Sequence, residues 1–162
     1  MSTPSRRSRS FAKAASRRAP PTDPRLSRIF DANLNRAREG IRVAEEVARF
    51  YIADGALAER LKSLRETIGG WERALGLGAG VDGRDSETDP GRRVTGPREA
   101  SRDGVGDLVR ANMKRAQEAV RVIEELSKLD NSPRVSEFKD MRYTLYSAEA
   151  ELLAALARDA GR

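Results

Sequence analysis

The chain has 162 residues, 38% of them apolar and 35% charged, with no cysteine and no histidine. That length suits one domain with a real core, and the composition excludes disulfides, thiol nucleophiles, the usual zinc and haem sites and an imidazole base. Any metal must be held by oxygen ligands, which favours magnesium, and no apolar run approaches the ~18–20 residues needed to span a bilayer.

The formal net charge of +6 is not evenly spread. Residues 1–22 carry Arg6, Arg7, Arg9, Lys13, Arg17 and Arg18 and no acid, which leaves 25 basic residues against 25 acidic ones in residues 23–162. The tail is too poor in apolar side chains to offset its ordering entropy and is expected to be disordered. Its bland reading is a solvated extension. A weak hold on nucleic acid or anionic lipid and an organelle transit peptide are the other two. The neutral body argues against nucleic acid as a partner. Arg, Ala and Gly prevail over Lys and Ile, in keeping with a high-GC genome, so the expected location is a bacterial cytoplasm rather than a plastid.

The domain expected over 23–162 opens with a helix from about Pro24, capped by Thr22 or Asp23, running to about Ile52 where Asp54-Gly55 breaks it. A second helix spans about Ala56–Leu75 and stops in the cluster Gly76, Gly78, Gly80. The stretch 76–100, rich in Gly, Pro, Asp and Arg, is a long loop. Length alone makes it functional or disordered, and a lid carrying Arg84 and Asp85 is the sharper reading. A third helix is expected over about Val105–Leu129. A fourth opens at Ser132-Pro133 and runs to about Arg158. No segment alternates with period two for long enough to make a strand.

The helix pair is written twice. Ala32–Glu46 aligns with Ala111–Glu125 at an offset of 79, with nine of fifteen positions identical, and Leu61–Arg65 aligns with Phe138–Arg142 at an offset of 77. An internal duplication accounts for this. The expected fold is therefore all-α: a four-helix bundle of two duplicated hairpins joined by a long loop.

On a helical wheel the first helix has a broad apolar face including Leu34, Ala37, Ile41, Ala44 and Ala48. Asn33 lies inside that arc and Arg36 on its flank, with Glu39 and Glu46 along the border and Arg42 just outside. Asn112, Arg115, Glu118, Glu125 and Arg121 repeat the arrangement. Buried Asn and Arg need paired donors. They fit either packing contacts that set helix register or an anion pocket, with guanidinium groups on phosphate oxygens and carboxylates on magnesium. Repetition fits both.

The stretches Arg28–Glu46, Arg84–Gly91, Val109–Glu125 and Phe138–Tyr146, in that order, resemble the all-helical second-type hydroxymethylpyrimidine phosphate kinase domain commonly fused ahead of thiamine phosphate synthase. The resemblance covers about residues 25–155. It implies phosphorylation of 4-amino-5-hydroxymethyl-2-methylpyrimidine phosphate to the diphosphate with ATP and magnesium, in thiamine biosynthesis. Arg36, Arg115 and Arg84 are then the expected phosphate clamps. Asn33, Asn112, Arg42, Arg121 and Arg142 are the expected substrate contacts, and Glu39, Glu46, Glu118 and Asp85 the expected magnesium ligands. The chain ends at Arg162, short of the ~250 residues of an (α/β)₈ barrel, so the resemblance implies a free-standing kinase domain with the synthase supplied as a separate partner. A homo-oligomer stays open. The alternative is a non-catalytic helical module that binds or regulates thiamine phosphate synthase.

The chemistry tolerates this composition. The nucleophile would be a phosphate-monoester oxygen with second pKa near ~6, ionised at neutral pH, so no general base is needed. Two polyanions must instead be brought together, which calls for arginines, magnesium and geometry.

Overall fold

A computed structural model describes residues 23–75, 77, 101–129 and 131–161. The basic tail, Arg84 and Asp85 lie outside the described residues.

Four helices form an all-α bundle: α1 (Pro24–Glu46), α2 (Gly55–Ala74), α3 (Val105–Leu129) and α4 (Val135–Asp159). α1 starts where Asp23 accepts a side-chain hydrogen bond from the Arg25 amide, with proline pre-set in the first turn. It does not run on as α-helix to Ile52. Residues Val47–Tyr51 form a π-helical turn, closed by the Ile52 amide donating to the Val47 carbonyl at 3.0 Å. The two copies explain it: Glu45 and Arg65 are 20 residues apart, whereas their counterparts Glu124 and Arg142 are 18 apart. The wider turn takes up part of that insertion.

Both hairpins then reverse through a left-handed residue, Ala53 at φ 60° and Asn131 at φ 49°. Asp54 caps α2 through the Leu57 amide, 3.0 Å away. α3 ends in a Schellman motif, with Asn131 N–H on the Lys128 carbonyl and Ser132 N–H on the Ser127 carbonyl. The fourth helix begins later than its Ser-Pro signal indicates, at Val135, and Arg134 at its cap makes no side-chain capping bond.

Cross-links define the directions. Arg38 meets Glu72 and Glu45 meets Arg65 between α1 and α2, while Gln117 meets Glu149 and Glu124 meets Arg142 between α3 and α4. Each hairpin is therefore antiparallel. Between α2 and α4, Arg60 pairs with Glu151, and Trp71 packs edge-on against Phe138 with ring centroids 4.7 Å apart. Those helices are antiparallel too, so α1 and α3 run in opposite directions. The α1–α3 interface is the most extensive in the molecule. Gly40 makes its closeness possible: a Cβ there would strike the Asn112 carbonyl and stand 3.2 Å from the Ala116 Cβ. Leu34, Ile41, Leu61, Ile68, Met113, Ile123, Phe138, Leu145 and Leu152 fill the space the four helices enclose.

Candidate functional site

The most deeply buried charges of the bundle are two glutamates, Glu45 and Glu124, each only 3% exposed. On a wheel at 100° per residue Glu45 falls about 20° beyond Leu34, at the edge that faces α2. A carboxylate there is costly unless it is ion-paired and hydrogen-bonded. Arg65 Nε donates to its Oε2 at 2.7 Å and Arg42 Nη1 to its Oε1 at 3.1 Å. The second copy repeats the device: Arg142 Nε donates to Glu124 Oε2 at 3.1 Å and Arg121 Nη1 to Oε1 at 2.8 Å. Arg42 also pairs with Glu46, and Arg121 pairs with Glu125 at 2.6 Å. Each cluster thus holds one arginine by its inner edge, from the second helix of a hairpin, against a carboxylate of the first.

The clusters differ in what surrounds them. In the second, Lys128 bonds Glu125 at 2.7 Å and reaches Glu124 at 4.0 Å. Arg142 Nη1 donates to the Tyr146 hydroxyl at 3.1 Å, and its guanidinium lies 5.2 Å and 5.8 Å from the Tyr143 and Tyr146 ring centres. Glu66 and Gly69 occupy the corresponding places on α2. Lys128 is matched by Arg49, which sits over the Phe50 ring at 4.7 Å. Three cations against two carboxylates leave the second cluster with one positive charge in excess, where Arg42 and Arg65 against Glu45 and Glu46 balance. The Tyr146 hydroxyl and then Glu124 hold the Arg142 guanidinium above its ordinary range, and Glu45 does the same for Arg65. Lys128 is the main reason that Glu125 titrates below its ordinary 4.5.

The residues singled out from the sequence separate into groups. Arg42, Arg121 and Arg142 belong to the two clusters, and Glu46 and Glu125 flank them. Asn33 and Asn112 are buried as expected, yet each amide donates to its own helix, Asn33 to the Ile29 carbonyl and Asn112 to the Leu108 carbonyl, both at 2.8 Å. Arg36, Arg115, Glu39 and Glu118 are exposed, and Glu118 stands 3.8 Å from Lys114. Arg36 and Arg115 are therefore not buried cations of the core face. The burial expected at that border occurs on the opposite one, where α2 and α4 pack. Glu45, Arg65, Glu124, Lys128 and Tyr146 join these clusters without standing out on the helical wheel. Glu45 with Glu124 and Arg65 with Arg142 are identical in both copies, and that identity was the available signal.

Among the described residues no group of three or more Asp or Glu stands close enough to hold a metal ion. Glu39 and Glu46 are seven residues apart on α1, about 10 Å of helix, and Glu46 is engaged by Arg42.

The sequence profile of the ThiD2 family matches residues 28–151. The thiamine-phosphate synthase of Synechocystis sp. (strain ATCC 27184 / PCC 6803 / Kazusa) is 41% identical over 128 residues, 79% of this chain and 36% of that protein. Those of Thermosynechococcus vestitus and Gloeobacter violaceus are 42% and 41% identical over 128 and 123 residues, covering 79% and 76% of this chain and 35% of each relative. The chain thus spans about a third of the length of these curated relatives. No solved structure matches. No helix among the described residues is long and apolar enough to cross a membrane.

Proposed function

The chain belongs to the ThiD2 family, and on that premise we propose that it phosphorylates 4-amino-5-hydroxymethyl-2-methylpyrimidine phosphate to the diphosphate, with ATP as donor, in thiamine biosynthesis. The observation that carries the proposal is the family match itself, because it spans both copies of the arginine–glutamate–arginine cluster. Within that span the second cluster is the better anion site. It has a cation in excess, an arginine positioned by a buried carboxylate, and two exposed tyrosines able to lie against a heteroaromatic ring.

In the proposed reaction a phosphate oxygen of the substrate attacks the γ-phosphorus of ATP. The new P–O bond forms as the bond to the β–γ bridging oxygen breaks, and ADP leaves with that electron pair. Arg142 and Lys128 lower the repulsion between the two phosphates. Arg121 is held by Glu124 and Glu125 and fixes Glu124, the carboxylate that positions Arg142. Magnesium enters the proposal as the companion of the ATP phosphates, not as an ion held in a protein cage.

The test is direct. Purified chain incubated with ATP, magnesium and the pyrimidine monophosphate is expected to accumulate the diphosphate, measured by coupling to thiamine phosphate synthase. A helical, folded protein that forms none contradicts the reading. The partial coverage of the relatives favours a second one, a helical module that docks on or regulates thiamine phosphate synthase. Under it Arg142→Ala changes affinity for that enzyme, and there is no turnover to lose.

A further inference from the structure

Ile29, Arg36, Val43 and Phe50 recur every seven residues along α1 and its π-helical turn, and Leu108, Arg115, Val122 and Leu129 do the same along α3. Seven residues is the spacing at which side chains stay on one side of a helix and meet a neighbouring helix. Val43 and Leu108 are half-buried, Leu108 against the core, while the other six are exposed and no helix among the described residues covers them. Ile29, Phe50, Val122 and Leu129 are 41%, 67%, 38% and 65% exposed. A groove of about 410 Å³ between Val43, Val47, Phe50, Tyr51 and Leu108 shows that the stripe of α1 and the start of α3 form one surface. The internal repeat puts Ile29, Val122 and Leu129 at the other end of it. The result is an open face with apolar ends.

Its middle is charged in a particular order. α1 and α3 are antiparallel, and Gly40 sits level with Asn112 and Ala116, so Arg36 is level with Glu118 and Arg115 with Glu39. Arg36, Glu39 and Arg115 are exposed and make no ion pair among the described residues. A second copy laid face to face by a two-fold axis along the helices sets Arg36 opposite the partner's Glu118 and Arg115 opposite the partner's Glu39. An axis across the helices sets Arg36 opposite the partner's Glu39 and Arg115 opposite the partner's Glu118. Either way every arginine meets a glutamate and the apolar ends meet each other. That self-complementarity is what an isologous interface requires. Two adjacent helices of this length present a face about 35 Å by roughly 20 Å, about 700 Å², near the ~800 Å² per partner of a stable complex.

We propose that two copies of this chain associate through the open α1–α3 face, with Phe50, Val122 and Leu129 as apolar anchors and Arg36, Glu39, Arg115 and Glu118 setting the register. This stands apart from the kinase reading. Sedimentation velocity and light scattering on the full chain, over a wide concentration range, are expected to give twice the 17.9 kDa of one chain. Phe50→Glu with Leu129→Glu is expected to yield a monomer with an unchanged helical circular dichroism spectrum. Arg36→Glu with Arg115→Glu weakens the dimer at least tenfold, and adding Glu39→Arg with Glu118→Arg restores it, which no general loss of fold imitates. A monomer at every concentration, a dimer indifferent to the Phe50 and Leu129 changes, or a four-residue charge exchange without recovery overturns the proposal. So does a monomer that binds purified thiamine phosphate synthase through Phe50 and Leu129, which assigns the face to that enzyme.

Discussion

The two hairpins hold the same buried carboxylate with the same arginine atoms, yet only one of them surrounds it with a further paired cation and two tyrosines. Arg42 and Arg65 balance Glu45 and Glu46: Arg49 lies over the Phe50 ring, and Glu66 and Gly69 stand where Tyr143 and Tyr146 stand on α4. Arg121–Glu124–Arg142 adds Lys128 and a tyrosine hydroxyl to the same frame. The repeat carries one packing solution twice, and the second copy surrounds it with more polar partners. The shared part neutralises a buried carboxylate in each hairpin, and the unshared part adds positive charge to the second.

Arg65→Ala and Arg142→Ala separate these roles and carry the largest expected effects. Each leaves a buried glutamate with one partner fewer, so both lose about 3 kcal/mol of stability, read from denaturant midpoints. Only Arg142→Ala is expected to lower kcat/KM for the pyrimidine phosphate by roughly 100-fold, about 2.7 kcal/mol of transition-state stabilisation. Equal kinetic losses in the two variants mean that the clusters do not differ in function. Gly40→Ala and Ala119→Gly probe the same asymmetry at the α1–α3 crossing. The added methyl has the Asn112 backbone in its way, so Gly40→Ala costs about 2–3 kcal/mol. Ala119→Gly costs about 1 kcal/mol, the helix-propensity difference.

The same comparison shows what the sequence makes legible. Four helices and their pairing follow from periodicity, caps and the repeat, because each helix must bury its apolar stripe against another. The π-helical turn does not, although the change of offset from 79 to 77 was its trace. Glu45 does not stand out from the sequence because a wheel gives the width of an apolar arc and not which helix covers each edge. The wheel puts Arg36 on the flank of the apolar arc for the same reason, and that flank belongs to the exposed face. Asn33 was read correctly as buried, but burial does not show where an amide points. The amide bonds the Ile29 carbonyl, one turn back on the same helix.

The two reversals give a smaller contrast. Ala53 and Asn131 are both left-handed, a conformation that costs an alanine about 1 kcal/mol and an asparagine less. Ala53→Gly is therefore expected to raise stability by about 0.5–1 kcal/mol, and Asn131→Gly to change it by less than half of that, both measured by thermal unfolding.

The smallest effect concerns Glu125. Its carboxyl is held below 4.5 chiefly by the hydrogen bond from Lys128, with Arg121 and Arg142 adding their charges. A carboxylate whose pKa is lower in the folded state than in the unfolded chain contributes stability that is fully present above its unfolded value. That contribution disappears as pH falls through the folded one. Lys128→Ala is expected to move the Glu125 midpoint upward in an NMR titration of the side-chain carboxyl and to flatten the acid limb of the stability curve. An unmoved midpoint would mean that Arg121 and Arg142 hold the carboxylate without Lys128. The excess cation of the second cluster would then be turned outward to solvent, available to a ligand's phosphate rather than engaged within the protein.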